Sequence, residues 1–170
     1  DRAYGLEFGC AVTPPTHGPL GFLANSSPDL ATAILDFESF IPGRINLFIT
    51  RTESHDNDLH YFFDVDTAND SALYRCVSEA YFLSVISLIE FVTGKKFTEG
   101  AIHCAYAKPP YAAAYAKYIH CPIHFGSPTN LLIVPDSVLQ TANVSSDHQS
   151  YRFALQQCQR MLEELDAVSY

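Results

Sequence analysis

Residues 45–65, INLFITRTESHDNDLHYFFDV, decide how this chain folds. Two runs of alternating apolar residues flank a polar stretch. Ile45, Leu47 and Ile49 share one face of the first run, and Leu59, Tyr61, Phe63 and Val65 share one face of the second. A period of two belongs to strands with one buried face. The intervening ESHDND is polar and turn-forming, so the pair reads as an antiparallel hairpin.

Helices lie on both sides of it. In NSSPDLATAILDFESFIPG, Ser27 is placed as N-cap, Pro28 at the first helical position and Asp29 at the positive end. Leu30, Ile34, Phe37 and Ile41 recur at helical spacing until Pro42–Gly43 stops the helix. After the hairpin, Asn69 or Asp70 caps a helix running to about Gly94, a glycine suited to the C′ position. Its stretch ALYRCVSEAYFLSVISLIEFV is the longest apolar one in the chain. Arg75, Glu79 and Glu90 interrupt it, which favours a buried amphipathic helix over a membrane span.

Near the start, Leu6, Phe8 and Cys10 alternate as in a short strand, and TPPTHGPLG follows as a turn-rich connection. AIHCAYA reads as a strand and PPYAAAYAKYI as a short helix with prolines in its first turn. IHF and NLLIV read as strands joined by the turn FGSPTN. PDSVLQTANVSSDHQS is polar, and residues 140–149 within it read as a linker between a folded unit at 1–139 and a C-terminal helix at 150–170. Ala154, Cys158, Met161, Leu165 and Val168 form the apolar stripe of that helix. The order predicts an α+β fold: a mostly antiparallel sheet covered by helices, plus the C-terminal helix.

The bulk numbers agree with one globular domain of 170 residues, 48% apolar and 17% charged. Ten Lys and Arg stand against nineteen Asp and Glu, for a net charge of −9. Gripping phosphates needs clustered cations. Here only Lys95 and Lys96 cluster, where they suit a helix C-terminus, so direct nucleic-acid binding is not expected. The five cysteines (Cys10, Cys76, Cys104, Cys121, Cys158) have irregular spacings, and most read as buried hydrophobes, not a disulfide framework. No secretory leader pattern is seen, so the N-x-S triplets at Asn25, Asn69 and Asn143 carry little weight.

Chemical motifs are sparse. His120, Cys121 and His124 fall within five residues. Pro122 and Ile123 argue against a helix that would bring the histidines onto one face. On a strand they would sit about 13 Å apart, too far for one metal. His103–Cys104 would supply a second pair only if its strand lay alongside, so a sheet edge with exposed histidines is the favoured reading and no metal is expected. A nucleophilic Cys104 or Cys121 with a histidine lacks supporting context. ESHDNDLH and DVDTAND do not follow the calcium-loop pattern, and GPLGF lacks the phosphate-cradle order. Phe22, Phe37, Phe40, Tyr61, Phe63, Tyr81 and Phe82 make either an aromatic core or the lining of a ligand pocket, with Phe22, Phe37, Tyr61, Phe63 and Tyr81 the chosen pocket candidates. No catalytic residue and no cofactor emerge.

Several segments together resemble one family. DRAYGLEFG is similar to the D-x-x-x-G-L-x-x-G opening of the ligand-sensing domain of AraC-type bacterial transcription regulators of the arabinose-binding-domain type, a branch that includes regulators of ornithine and other amino-acid catabolism. GPLGFLANSSPDLATAIL resembles its G-x-x-G turn and S-P-x-L helix start. AKPPYAAAYAKYIHCPIHFGSPTNLLIV resembles its proline, tyrosine-bearing helix, C-P-hydrophobic-x-F strand and Asn-containing turn. The resemblance spans nearly all of residues 1–139 and places Cys121, Pro122 and Phe125 in a structural strand, with His120 and His124 outside its pattern.

The resemblance implies a cytoplasmic, non-enzymatic regulator half that takes a small-molecule effector and forms a homodimer. It implies contact with DNA only through a helix-turn-helix unit outside this chain, and no membrane contact. The C-terminal helix would lead toward that unit. Cys158, Met161 and Leu165 are its candidate dimer surface, unless the helix packs back on its own domain. Two other readings stay open: a metal-dependent enzyme using His103, His120 and His124, and a sensor holding a fatty acid or haem in the aromatic core.

Overall fold

The structure is a computed structural model that describes residues 2–13, 18–44 and 47–168. The chain forms α1 (Tyr4–Ala11), α2 (Pro19–Ser26), α3 (Leu30–Arg44), β1 (Phe48–His55), β2 (Asp58–Val65), α4 (Ser71–Thr93), β3 (Ala101–Cys104), a 3₁₀ turn (Ala112–Lys117), β4 (Ile123–Phe125), β5 (Asn130–Val134), α5 (Asp136–Leu139) and α6 (His148–Val168). The strands make one sheet in the order β1-β2-β5-β3-β4. All neighbours are antiparallel except β3 and β4, which run parallel. The fold is α+β, with helices on one face of the sheet.

The hairpin forms as its pattern dictates, with a tighter turn. Asp56 and Asn57 alone make it, with φ of 48° and 75°. Positive φ at both central residues matches the right-handed twist of the strands, and Asp and Asn tolerate it. Leu59, Tyr61, Phe63 and Val65 all face the core. The phase of β1 is the reverse of that expected: Phe48 is buried and Ile49 is 72% exposed. Ile45, the first residue of that reading, lies outside the described residues, as do residues 14–17 of TPPTHGPLG.

The helical caps follow local chemistry. Asp70 caps α4 by accepting from the Leu73 amide at 2.9 Å, and Gly94 closes it in the left-handed region. α3 starts two residues later than Pro28: Asp29 accepts from the Thr32 amide at 2.8 Å, while the Ser27 hydroxyl donates to the Ala24 carbonyl at the end of α2. α3 continues through Arg44, past the expected stop at Pro42–Gly43. By length and composition α4 would suffice to cross a membrane, but most of its apolar window is buried in this core.

Two expectations near the N-terminus are corrected. The residues around Leu6, Phe8 and Cys10 are helix α1, not a strand, and GPLGF begins helix α2. α1 lies along α4, with Gly5 against Cys76 and Glu79, and Gly9 against Ala80 and Leu83. A Cβ on Gly5 would overlap the Cys76 carbonyl oxygen, and one on Gly9 would fall 2.7 Å from Ala80 Cα. Two glycines four apart make a flat strip that lets the backbones meet. Leu6 beside them is fully buried, while Phe8 is 67% exposed.

Candidate functional site

α4 organises the interior. Its middle carries the aromatic core: Tyr81 lies 4.1 Å from Phe48, 4.6 Å from Phe63 and 6.3 Å from Phe37, centroid to centroid. Phe63 meets Phe82 edge-on at 4.7 Å. The hydroxyls of Tyr61 and Tyr81 bond to each other at 2.6 Å, which satisfies both where water cannot reach. Burial pushes both phenols well above their ordinary value. Of the pocket candidates, Phe37, Tyr61, Phe63 and Tyr81 therefore converge, ring against ring. Phe22 stands apart on α2, nearly half exposed, and Phe40 is half-buried at the edge of the core.

The first turns of α4 present a polar face to the segment after β3. Asn130, fully buried, accepts from the Ala105 amide at 2.9 Å and donates to the Tyr74 and Ser78 hydroxyls at 3.0 and 3.1 Å. Directly after Ser78, buried Glu79 accepts from the Tyr111 and Tyr115 hydroxyls through Oε1 at 2.6 and 2.5 Å. Its Oε2, which sits under Gly5, has no hydrogen-bond partner among the described residues. Burial raises the Glu79 carboxyl above its ordinary value, against the opposing pull of the two tyrosines and Arg75. Burial, with help from the same carboxylate, pushes the Tyr111 phenol up to about 12.

The open space lies elsewhere. A groove of about 440 Å³ runs between the hairpin tip, α3 and α5. Leu35, Leu59 and Leu139 give it apolar surface, and Glu53, Asp56, Asp58 and Asp136 give it acidic surface. The size suits a small metabolite.

Beyond the groove, α5 leads into the segment read as a linker, and Asn143 there is buried. Its side chain donates to the Ala24, Asn25 and Ser27 carbonyls at 3.4, 2.8 and 2.9 Å. Its own amide donates to the Pro28 carbonyl at 3.3 Å. This clamp fixes the start of α6 to the α2–α3 corner. α6 then docks through Ala154 and Cys158, and the Tyr151 hydroxyl donates to Asp36 at 2.7 Å. Cys158 is only 2% exposed, so it faces its own domain, while Met161 is half-buried and Leu165 is 45% exposed. Burial pushes the Cys158 thiol up to about 11.

The histidine cluster is redistributed. Cys121 is buried and His120 is exposed outside β4, whereas His124 is the register partner of His103, their rings stacked 4.7 Å apart. Cys104 points to the opposite, covered face of β3. Burial pushes the Cys104 thiol up to about 12 and the Cys121 thiol up to about 11, so neither is a ready thiolate. Among the described residues, no three or more His, Cys, Asp or Glu converge on one point.

The family model for the arabinose-binding domain at the N-terminus of AraC transcription regulators matches residues 1–143. The chain belongs to this family. Among curated protein sequences, none matches it. In solved structures, the crystal structure of the transcriptional regulator CdpR from Pseudomonas aeruginosa is similar, with a TM-score of 0.74 at 11% identity. The likeness covers 95% of this chain and 53% of that one, so the chain spans about half the length of that regulator. At that identity the fold is what they share.

The AraC-family match extends to the clamp at Asn143. The positions carrying the resemblance have visible tasks in this domain. Gly5 and Gly9 seat α1 on α4, Cys121 packs in the core, and Asn130 ties β5 to α4 and the β3 exit. Membership of the AraC arabinose-binding-domain family makes this a regulatory, ligand-sensing domain. Sequence reasoning missed Glu79, Asn143 and the groove. A carboxylate inside an apolar helical run was the available signal for Glu79.

Proposed function

We propose that the domain senses a small metabolite in the cytoplasm and, as a homodimer, controls a DNA-binding unit carried elsewhere in an AraC-type regulator. It acts by binding, without turnover. The observation that carries this reading is the family match over residues 1–143. Regulation then requires an effector that binds one arrangement of α6 more tightly than another.

The groove between the hairpin tip and α5 is the opening assigned to the effector. Phe37, Tyr61, Phe63 and Tyr81 are already packed on one another, and an effector would reach them only by parting the rings. The groove is open, and its acidic side chains favour a metabolite carrying positive charge. It also borders α5, which runs directly into the Asn143 clamp. For the dimer, the outward stripe of Met161 and Leu165 on α6 remains the assigned surface, with Cys158 reserved for the domain's own core.

A thermal-unfolding screen of metabolites, cationic ones first, tests the sensor. The effector raises the midpoint of the parent domain, and Asp58→Asn or Asp136→Asn abolishes the rise. Sedimentation tests the dimer: the parent sediments as a dimer and Leu165→Glu as a monomer. A screen in which no metabolite shifts the midpoint, together with a full-length regulator whose operator affinity no metabolite changes, overturns the reading.

A further inference from the structure

The open face of the sheet carries histidines that the sensor reading leaves without a task. β3 and β4 are parallel, and their register sets His103 opposite His124 on the face away from the helices. Adjacent strands lie about 4.8 Å apart, so side chains at paired positions are direct neighbours. The two rings stack at 4.7 Å with 27° between their planes. His103 is half-exposed and His124 exposed, so solutes reach both. The Ser127 hydroxyl lies 3.4 Å from His103 Nδ1.

We propose that His103 and His124 form a two-imidazole site for one divalent transition ion of the Cu²⁺, Ni²⁺ or Zn²⁺ type. Imidazole is a favoured ligand for all three. Metal binding needs the neutral ring, since a proton occupies the lone pair of the charged one. The ring torsion of histidine has a broad well, so small rotations turn both lone pairs toward a shared point.

No third His, Cys, Asp or Glu converges with them among the described residues, so water completes the coordination. Open positions distinguish such a site from closed structural zinc, whose four ligands all come from protein. The site rests on the strand register alone and stands whether or not the domain senses a metabolite. His120, close by in sequence, has no part in it.

Isothermal titration of the untagged chain with CuCl₂, NiCl₂ and ZnCl₂ at neutral pH tests the site. The expected result is saturable uptake of one ion per chain, tightest for Cu²⁺. It is lost in His103→Ala and in His124→Ala, lost on acidification, and retained in His120→Ala. His124 is exposed, so its variant keeps the fold and its unfolding midpoint. Ring proton resonances give a second readout: zinc shifts those of His103 and His124 and leaves those of His120 in place. Absence of saturable uptake, or uptake that survives the His103→Ala/His124→Ala double variant, overturns the proposal.

Discussion

The two faces of the sheet come from the same strands in alternation, yet they carry different chemistry. Tyr61, Phe63, Leu132, Val134, Ile102 and Cys104 point under the helices and are nearly or fully buried. Their immediate neighbours His60, Phe62, Leu131, Ile133 and His103 point outward and are half-exposed. On the covered face every polar tip needs a partner in place, as the Tyr61–Tyr81 hydroxyl pair shows. On the open face water serves as partner, and imidazole nitrogens stay available. One face carries stability, and the other is free to carry ligands.

The sharpest way to break this comparison is to truncate neighbours. Phe63→Ala should cost about 3–5 kcal/mol in urea unfolding, the loss of a buried ring and the cavity it leaves. Phe62→Ala should cost about 0.5–1 kcal/mol, since its half-exposed ring loses the Arg51 guanidinium at 3.9 Å and a tilted contact with His60. Equal costs would show that the open face is covered in solution. A middle-sized effect belongs to the helical layer: Gly9→Ala should cost about 1–3 kcal/mol by overpacking the α1–α4 contact. Faster hydrogen exchange in α1, with the sheet unchanged, checks that the loss is local.

Asn143→Ala should cost about 1–3 kcal/mol, because one amide serves three carbonyls in the buried corner. Its distinguishing readout is the Cys158 thiol, silent toward disulfide reagents in the parent and reactive once α6 loosens.

The smallest effect is in pH dependence, and the two regions have opposite signs. Burial raises the Glu79 carboxyl above its ordinary 4.5, so the folded state holds that proton more tightly than the unfolded. Its contribution is fully present below 4.5 and is lost as pH rises through the folded value. His103 is lowered from 6.5, chiefly by burial, so its contribution is present above 6.5 and is lost as pH falls through the folded value. Urea midpoints across pH should lose the first slope in Glu79→Gln and the second in His103→Asn.

Much of the fold was legible because local pattern and final environment agree. Leu59, Tyr61, Phe63 and Val65 alternate in sequence and alternate in burial. Asp70 and Gly94 bound α4 as their chemistry requires. Where alternation was ambiguous, the reading slipped: INLFIT offers an apolar residue on both faces, and only pairing of Phe48 with Val65 decides which is buried. Leu6, Phe8 and Cys10 alternate too, but Gly5 and Gly9 belong to a helix seated on α4, a contact no local pattern contains. The site was less legible for the same reason. His124 looks like a partner of His120 in sequence and becomes a partner of His103 through a parallel register. Asn143 looks like linker until the carbonyls of α2 surround it.

The position of β5 has a consequence for how the chain is made. Of the five strands described it is the last to be synthesised, yet it lies in the middle of the sheet, between β2 and β3. A lone two-stranded hairpin is at best marginally stable in water. Until residue 134 leaves the ribosome, β1 and β2 have an unpaired edge, and β3 and β4 have no sheet to join. The order of emergence thus makes completion of this domain a late and abrupt event, with the aromatic face of the hairpin as the surface a chaperone would meet first.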